Sequence, residues 1–178
     1  MSEERQSVNM DEFAEKFANV YFIKLLFKED IKIPHETLYT KLEEAFGEVD
    51  KVATGELSSY ALCKHVVTYQ GGEVPSQVMI TNTIPFDQTT IPEMAMYQCW
   101  TCDDAKALLQ SCSYEVMVGD FMAGGLEIEE RCQMIAKYVD ILLEVFQNAL
   151  LSIGHTLKNL CQFKRMCKVS GIIPNYIS

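Results

Sequence analysis

Leu62-Cys63-Lys64-His65-Val66-Val67-Thr68-Tyr69-Gln70, then Gly71-Gly72-Glu73-Val74-Pro75-Ser76, then Gln77-Val78-Met79-Ile80-Thr81-Asn82-Thr83-Ile84, is the stretch on which the fold turns. The outer runs are rich in branched and aromatic residues, and strong turn formers separate them. That combination predicts a β-hairpin, with the turn over residues 71–76.

Elements of other periods lie on both sides of the hairpin. Upstream, Ala18 to Lys28 (with Val20, Tyr21, Phe22, Ile23, Leu25, Leu26 and Phe27) predicts a largely buried strand. A helix is expected from Pro34, since proline suits the first helical position and Glu36 the first turn. Leu38, Leu42, Ala45 and Phe46 recur at helical spacing, and Gly47 supplies the stop. Downstream, Pro85 to Tyr97 reads as a surface excursion, and Thr101 to Leu109 as a helix with Asp103 and Asp104 at its positive end. Tyr114 to Phe121 predicts a fourth strand. After Gly124-Gly125 comes a long helix, about Leu126 to Asn148. Its stripe of Ile128, Cys132, Ile135, Val139, Leu142, Phe146 and Ala149, widened by Met134, Tyr138, Ile141 and Val145, is broad enough to pack on a sheet.

The order strand, helix, strand, strand, helix, strand predicts an α+β fold. In detail it matches a ferredoxin-like split βαβ sandwich: a four-stranded antiparallel sheet with helices on one face. A long additional helix and a C-terminal tail follow it. The expected organisation is a lead-in over residues 1–17, one domain over 18–150 and a basic tail over 151–178. That tail carries Lys158, Lys164, Arg165 and Lys168 and no acid, whereas residues 1–150 hold all 25 acids. Leu157, Leu160, Cys161, Phe163 and Cys167 make it an amphipathic segment. It either docks on the acidic body or serves as a partner or membrane-surface helix.

A chain of 178 residues with 48% hydrophobic content and 22% charged content supports a real core and excludes wholesale disorder. A net charge of −10 argues against general binding to nucleic acid. The acidic start, Met1-Ser2-Glu3-Glu4-Arg5, lacks the bases of a signal peptide, and no apolar run is long enough for a membrane span. Seven scattered cysteines fit reduced thiols, so a cytoplasmic location is expected.

The chemistry-bearing candidates are few. Cys99-Trp100-Thr101-Cys102 is a C-x-x-C ahead of a helix, the setting of a redox dithiol or half of a metal site. The adjoining Asp103 and Asp104 oppose thiolate formation, and the alternative is two packing thiols beside Trp100. Cys63 and His65 stand two apart, on one side of a regular strand. Gly119 to Gly125 is a glycine-containing turn, but Glu127, Glu129 and Glu130 behind it would repel a phosphate. Asp120, at the end of an apolar strand, is the acid singled out for binding, with Trp100; its alternative is a turn or helix-capping role. No metalloprotease, nucleophile-elbow or EF-hand pattern occurs, and no cofactor is nominated.

Three features carry a resemblance: the strand ending Ile84-Pro85 and leading into a loop, Trp100 opening the next helix, and a strand, small-residue turn and long helix carrying Glu129-Glu130-Arg131. The stretch from about residue 18 to 149 resembles the bacterial uncharacterised family called domain of unknown function 4261 (DUF4261). The resemblance implies a compact α+β domain and no established activity, and it transfers no functional residues. The C-x-x-C and the last 28 residues stand outside it. The leading expectation is a binding or interaction module for a protein or small-molecule partner, dimeric through the long helix or an open sheet edge. A thiol-dependent redox or metal-binding protein using Cys99 and Cys102 is the alternative.

Overall fold

Alternating burial along Phe22–Phe27 (β1) sends Ile23, Leu25 and Phe27 to one side of a strand, into the main core. The computed structural model containing this strand describes residues 19–69, 71–91, 105–147, 149, 151–155 and 172–173, with backbone alone for 105, 151–155 and 172–173. The next element is α1, His35–Phe46, which buries Leu38, Leu42 and Phe46 at intervals of one turn. Gly47 ends it with a φ of 84°, a left-handed value that favours glycine, and its N–H bonds the Glu43 carbonyl.

The chain then forms β2, Val49–Ala53, a strand with no counterpart in the sequence reading. Only Val49 of its five residues is buried, so it carries no apolar alternation to read. Strands β3 (Leu57–Tyr69) and β4 (Gly72–Thr81) are the expected hairpin, but its turn is tighter than predicted. Tyr69 pairs with Gly72, and Gly71, just before Gly72, supplies a φ of 80°. Pro75 therefore lies within a strand. It sits where the register shifts between Leu62 and Val66, at a bulge, where a missing N–H is tolerated.

The excursion after β4 is partly regular: Ile84–Pro85 (β5) pairs with β6, and Gln88–Thr90 forms a short 3-10 turn capped by Asp87. Helix α2 (Ala105–Ser111) leads into β6 (Tyr114–Phe121), and the long helix α3 covers Ile128–Val145. Leu151–His155 (β7) and Ile172–Ile173 (β8) bring residues of the basic stretch into the sheet as strands. The expected amphipathic segment between them, Leu157 to Cys167, lies outside the described residues. No helix among the described residues is long and apolar enough to cross a membrane.

The sheet order is β2-β3-β4-β6-β1-β7-β8, with β5 on β6. The six strands from β2 to β7 in that order are antiparallel to their neighbours, and β8 runs parallel to β7. The fold is α+β, as expected, but the expectation of four strands is corrected: the four stand together, and strands add at both edges. The insertion of β2 also makes β1 antiparallel to β3, so α1 links β1 to β2 and α3 links β6 to β7.

Helices α1 and α3 cover one face. Leu38, Leu42, Met134, Tyr138 and Leu142 meet Leu25, Tyr60, Leu62, Val78, Ile80 and Val116 in the main core. Each such aliphatic side chain contributes about 1.5–3 kcal/mol on burial. The expected stripe of α3 is buried except at its two ends: Ile128 is 66% exposed and Val145 is half-buried. The opposite face carries Phe22, Gln77, Met79, Met117, Gly119 and Phe121; Phe22 and Phe121 are exposed and Met79 and Met117 half-buried. Gly119 is there because a Cβ would lie 2.5 Å from the Tyr21 carbonyl oxygen and 2.9 Å from the Phe22 ring. Backbone cannot yield as a flexible side-chain tip can. Gly119→Ala is therefore expected to cost about 1–3 kcal/mol in urea unfolding; an unchanged midpoint would show that β1 and β6 separate freely here.

Candidate functional site

Asp120 is 1% exposed on the helix-covered face of β6. After it the chain reverses through Met122, whose φ of 61° is unusual for a side chain of this size, and the 3-10 turn Ala123–Gly125. This reversal lays the first turn of α3 beside the end of β6. Arg131 Nε donates to Asp120 Oδ2 at 2.6 Å and Arg131 Nη2 to Oδ1 at 2.9 Å. The Tyr21 backbone N–H donates to Oδ1 at 2.7 Å, and Nη2 also reaches the Asn19 carbonyl at 2.6 Å. The forked geometry satisfies both carboxylate oxygens. Asp120 thus joins β6, the entry to β1 and α3, in place of the turn or cap role weighed from its position.

Trp100, Cys99 and Cys102 lie outside the described residues. Cys63 and His65 do not converge, because the bulge after Leu62 breaks the period-two alternation that would set them on one side. Cys63 Sγ is 3.6 Å from Asp50 Oδ2, and partial burial followed by that carboxylate pushes its thiol up, away from thiolate chemistry. His65 turns toward the helices: Nδ1 is 2.9 Å from Glu130 Oε1, and the ring meets Phe46 edge-on. His35 is half-buried, with Nδ1 3.0 Å from the Tyr60 hydroxyl. Among the described residues no three His, Cys, Asp or Glu side chains gather into a metal-binding set. On the other face Lys24 Nζ bonds both oxygens of the buried Glu115, at 3.0 and 2.9 Å.

A concavity of about 310 Å³ opens where α3 ends beside the loop leaving β1, lined by Phe27, Ile31, Lys32, Pro34, Glu144, Val145, Phe146 and Gln147. Phe27 and Phe146 meet edge-to-face at 5.8 Å and are almost fully buried, which fixes them in place. The loop is held by the Thr83 hydroxyl donating to the Ile31 carbonyl at 2.6 Å, and by the Leu38 N–H donating to the Pro34 carbonyl. Lys41 Nζ lies 2.7 Å from Glu144 Oε2, joining α1 to the last turn of α3. That last turn carries no basic residue, although its terminal carbonyls form the negative end of the helix.

Sequence reasoning missed this pocket because its residues come from two stretches more than a hundred positions apart. The one legible signal was an aromatic at the end of each predicted element, Phe27 and Phe146. Comparison with protein-family models, curated proteins and solved structures finds no match to this chain.

Proposed function

We propose that this chain is a binding module, and that a small molecule enters the pocket between the C-terminal end of α3 and the loop after β1. The carrying observation is the pocket's composition: half-buried Ile31, Pro34 and Val145 stand over the buried Phe27–Phe146 pair, and exposed Lys32, Glu144 and Gln147 bring polar groups to one opening. Concave sites that combine apolar lining with a few convergent polar groups are the usual form of small-molecule sites. A cytoplasmic location belongs to the same reading. The placement of β1 between β6 and β7 supports a ferredoxin-like, split βαβ relationship for the β6–α3–β7 unit.

The test is a fragment screen read by backbone amide shifts in the full chain. Binders should perturb the amides of residues 27–33 and 144–147 together, and Val145→Trp, which fills the pocket from its wall, should abolish the response. Binders that instead perturb the segment around Cys99 and Cys102 would overturn the reading in favour of thiol chemistry.

A further inference from the structure

The sheet face turned away from α1 and α3 is covered at one end and bare at the other. Along β1 its side chains run from Leu26, fully buried, through Lys24, whose side chain is 14% exposed, to Phe22, 37% exposed. Along β6 the same gradient runs from Glu115, 5% exposed, through half-buried Met117 to Phe121, 41% exposed. At the covered end Phe86, Leu109 and Cys112 are buried outside the main core. There the Ser113 N–H donates to the Phe27 carbonyl and the Phe86 N–H to the Ser113 carbonyl. At the bare end the Phe22 ring lies over Gly119, with half-buried Met79 opposite Gly119 on β4. Contiguous exposed apolar surface of this kind marks a contact site.

The chain enters the sheet at that bare end. Arg131 holds the Asn19 carbonyl and Asp120 the Tyr21 N–H, so the residues before Asn19 start from a fixed point beside Phe22. We infer that residues 10–17, which lie outside the described ones, dock as a short helix on this face of their own chain, setting Phe13 and Phe17 against Phe22, Met79 and Phe121. Met10, Phe13, Ala14 and Phe17 recur at i, i+3, i+4 and i+7, with Asp11, Glu12, Glu15 and Lys16 between them. Asn9 suits the N-cap with Glu12 three residues on, and Val8 and Phe13 hold the positions of a hydrophobic staple. Eight residues make a helix about 12 Å long, enough to cross β4, β6 and β1, three neighbours spanning about 10 Å. The basic stretch 156–171 is directed elsewhere. It joins the parallel neighbours β7 and β8, and a right-handed connection there lies on the face of α3, which makes the same step from β6 to β7.

Methionine-methyl NMR of the full chain tests the inference, with Met79→Leu and Met117→Leu assigning the two signals. Both methyls should shift in Phe13→Ser or Phe17→Ser, and at least one should show a nuclear Overhauser contact to those rings, while the core methyl of Met134 stays in place. Phe121→Ser changes an exposed side chain on the docking face. It should speed tryptic cleavage after Lys16 at least about tenfold, because the cut reports the undocked population and a covered Phe contributes more than one factor of ten. Met79 and Met117 methyls that respond to neither substitution, or an unchanged cleavage rate in Phe121→Ser, would overturn the docking. Contacts from Trp100 in place of Phe13 and Phe17 would overturn it in favour of residues 92–104. Contacts seen only between differently labelled copies would do so in favour of an exchanged dimer.

Discussion

Arg131→Met is expected to lower the unfolding free energy by roughly 3–5 kcal/mol, the range found when one partner of a buried ion pair is removed. The cost arises because the carboxyl of Asp120, 1% exposed, loses both guanidinium donors, with only the Tyr21 N–H left to it. Asp120→Asn should be milder, since an amide oxygen still accepts from Tyr21. The informative variant is the double, Asp120→Asn with Arg131→Met, which removes both charges and keeps that backbone bond. It should be more stable than Arg131→Met alone, with a coupling of about 0.5–3 kcal/mol. Urea unfolding of the four proteins gives the cycle. A cost for Arg131→Met below about 1 kcal/mol, or additive single effects, would show that water reaches the pair and that it holds nothing together.

Alkaline pH should destabilise the protein through its buried phenols. Burial, followed by the nearby Cys132 and Asp120, pushes the Tyr21 hydroxyl up to about 12. Tyr138, which donates to the Met79 carbonyl at 3.0 Å, and Tyr60 are shifted in the same direction, chiefly by burial. The unfolded chain releases these protons near pH 10, whereas the native chain retains them. Stability is therefore unaffected below pH 10 and falls between pH 10 and 12, because there the native state binds more protons than the unfolded one. For Tyr21 alone, two pH units correspond to about 2.7 kcal/mol. Tyrosinate absorbance should show part of the eight tyrosines ionising only as the chain unfolds. Tyr21→Phe should flatten the stability slope above pH 10. Ionisation of all eight at ordinary values, with far-ultraviolet dichroism unchanged, would contradict the burial of these rings.

The elements most legible from sequence were those whose own residues pay their way in burial. Leu38, Leu42 and Phe46, or Met134, Tyr138 and Leu142, repeat on one face of a helix, so periodicity alone placed α1 and α3. The hairpin was legible for the same reason, although Gly72 to Ser76, expected in its turn, belong to β4. Strand β2 was not, since a solvated edge strand needs no apolar pattern and takes its geometry from β3.

The candidate sites divide along the same line. Asp120 stood out as an acid ending an apolar strand, but its partner was hidden, because Arg131 lies beyond a reversal through Met122 and Gly125. The pocket was wholly hidden. Local sequence determined the α+β class, the two long helices and the central hairpin, since those depend on periodicities that neighbouring residues set. Tertiary structure alone decided the strand order, the Asp120–Arg131 pair and the concavity between the end of α3 and the loop after β1. Each of these depends on distances between chain segments, which strand insertion, bulges and turn geometry set and which a linear pattern does not record.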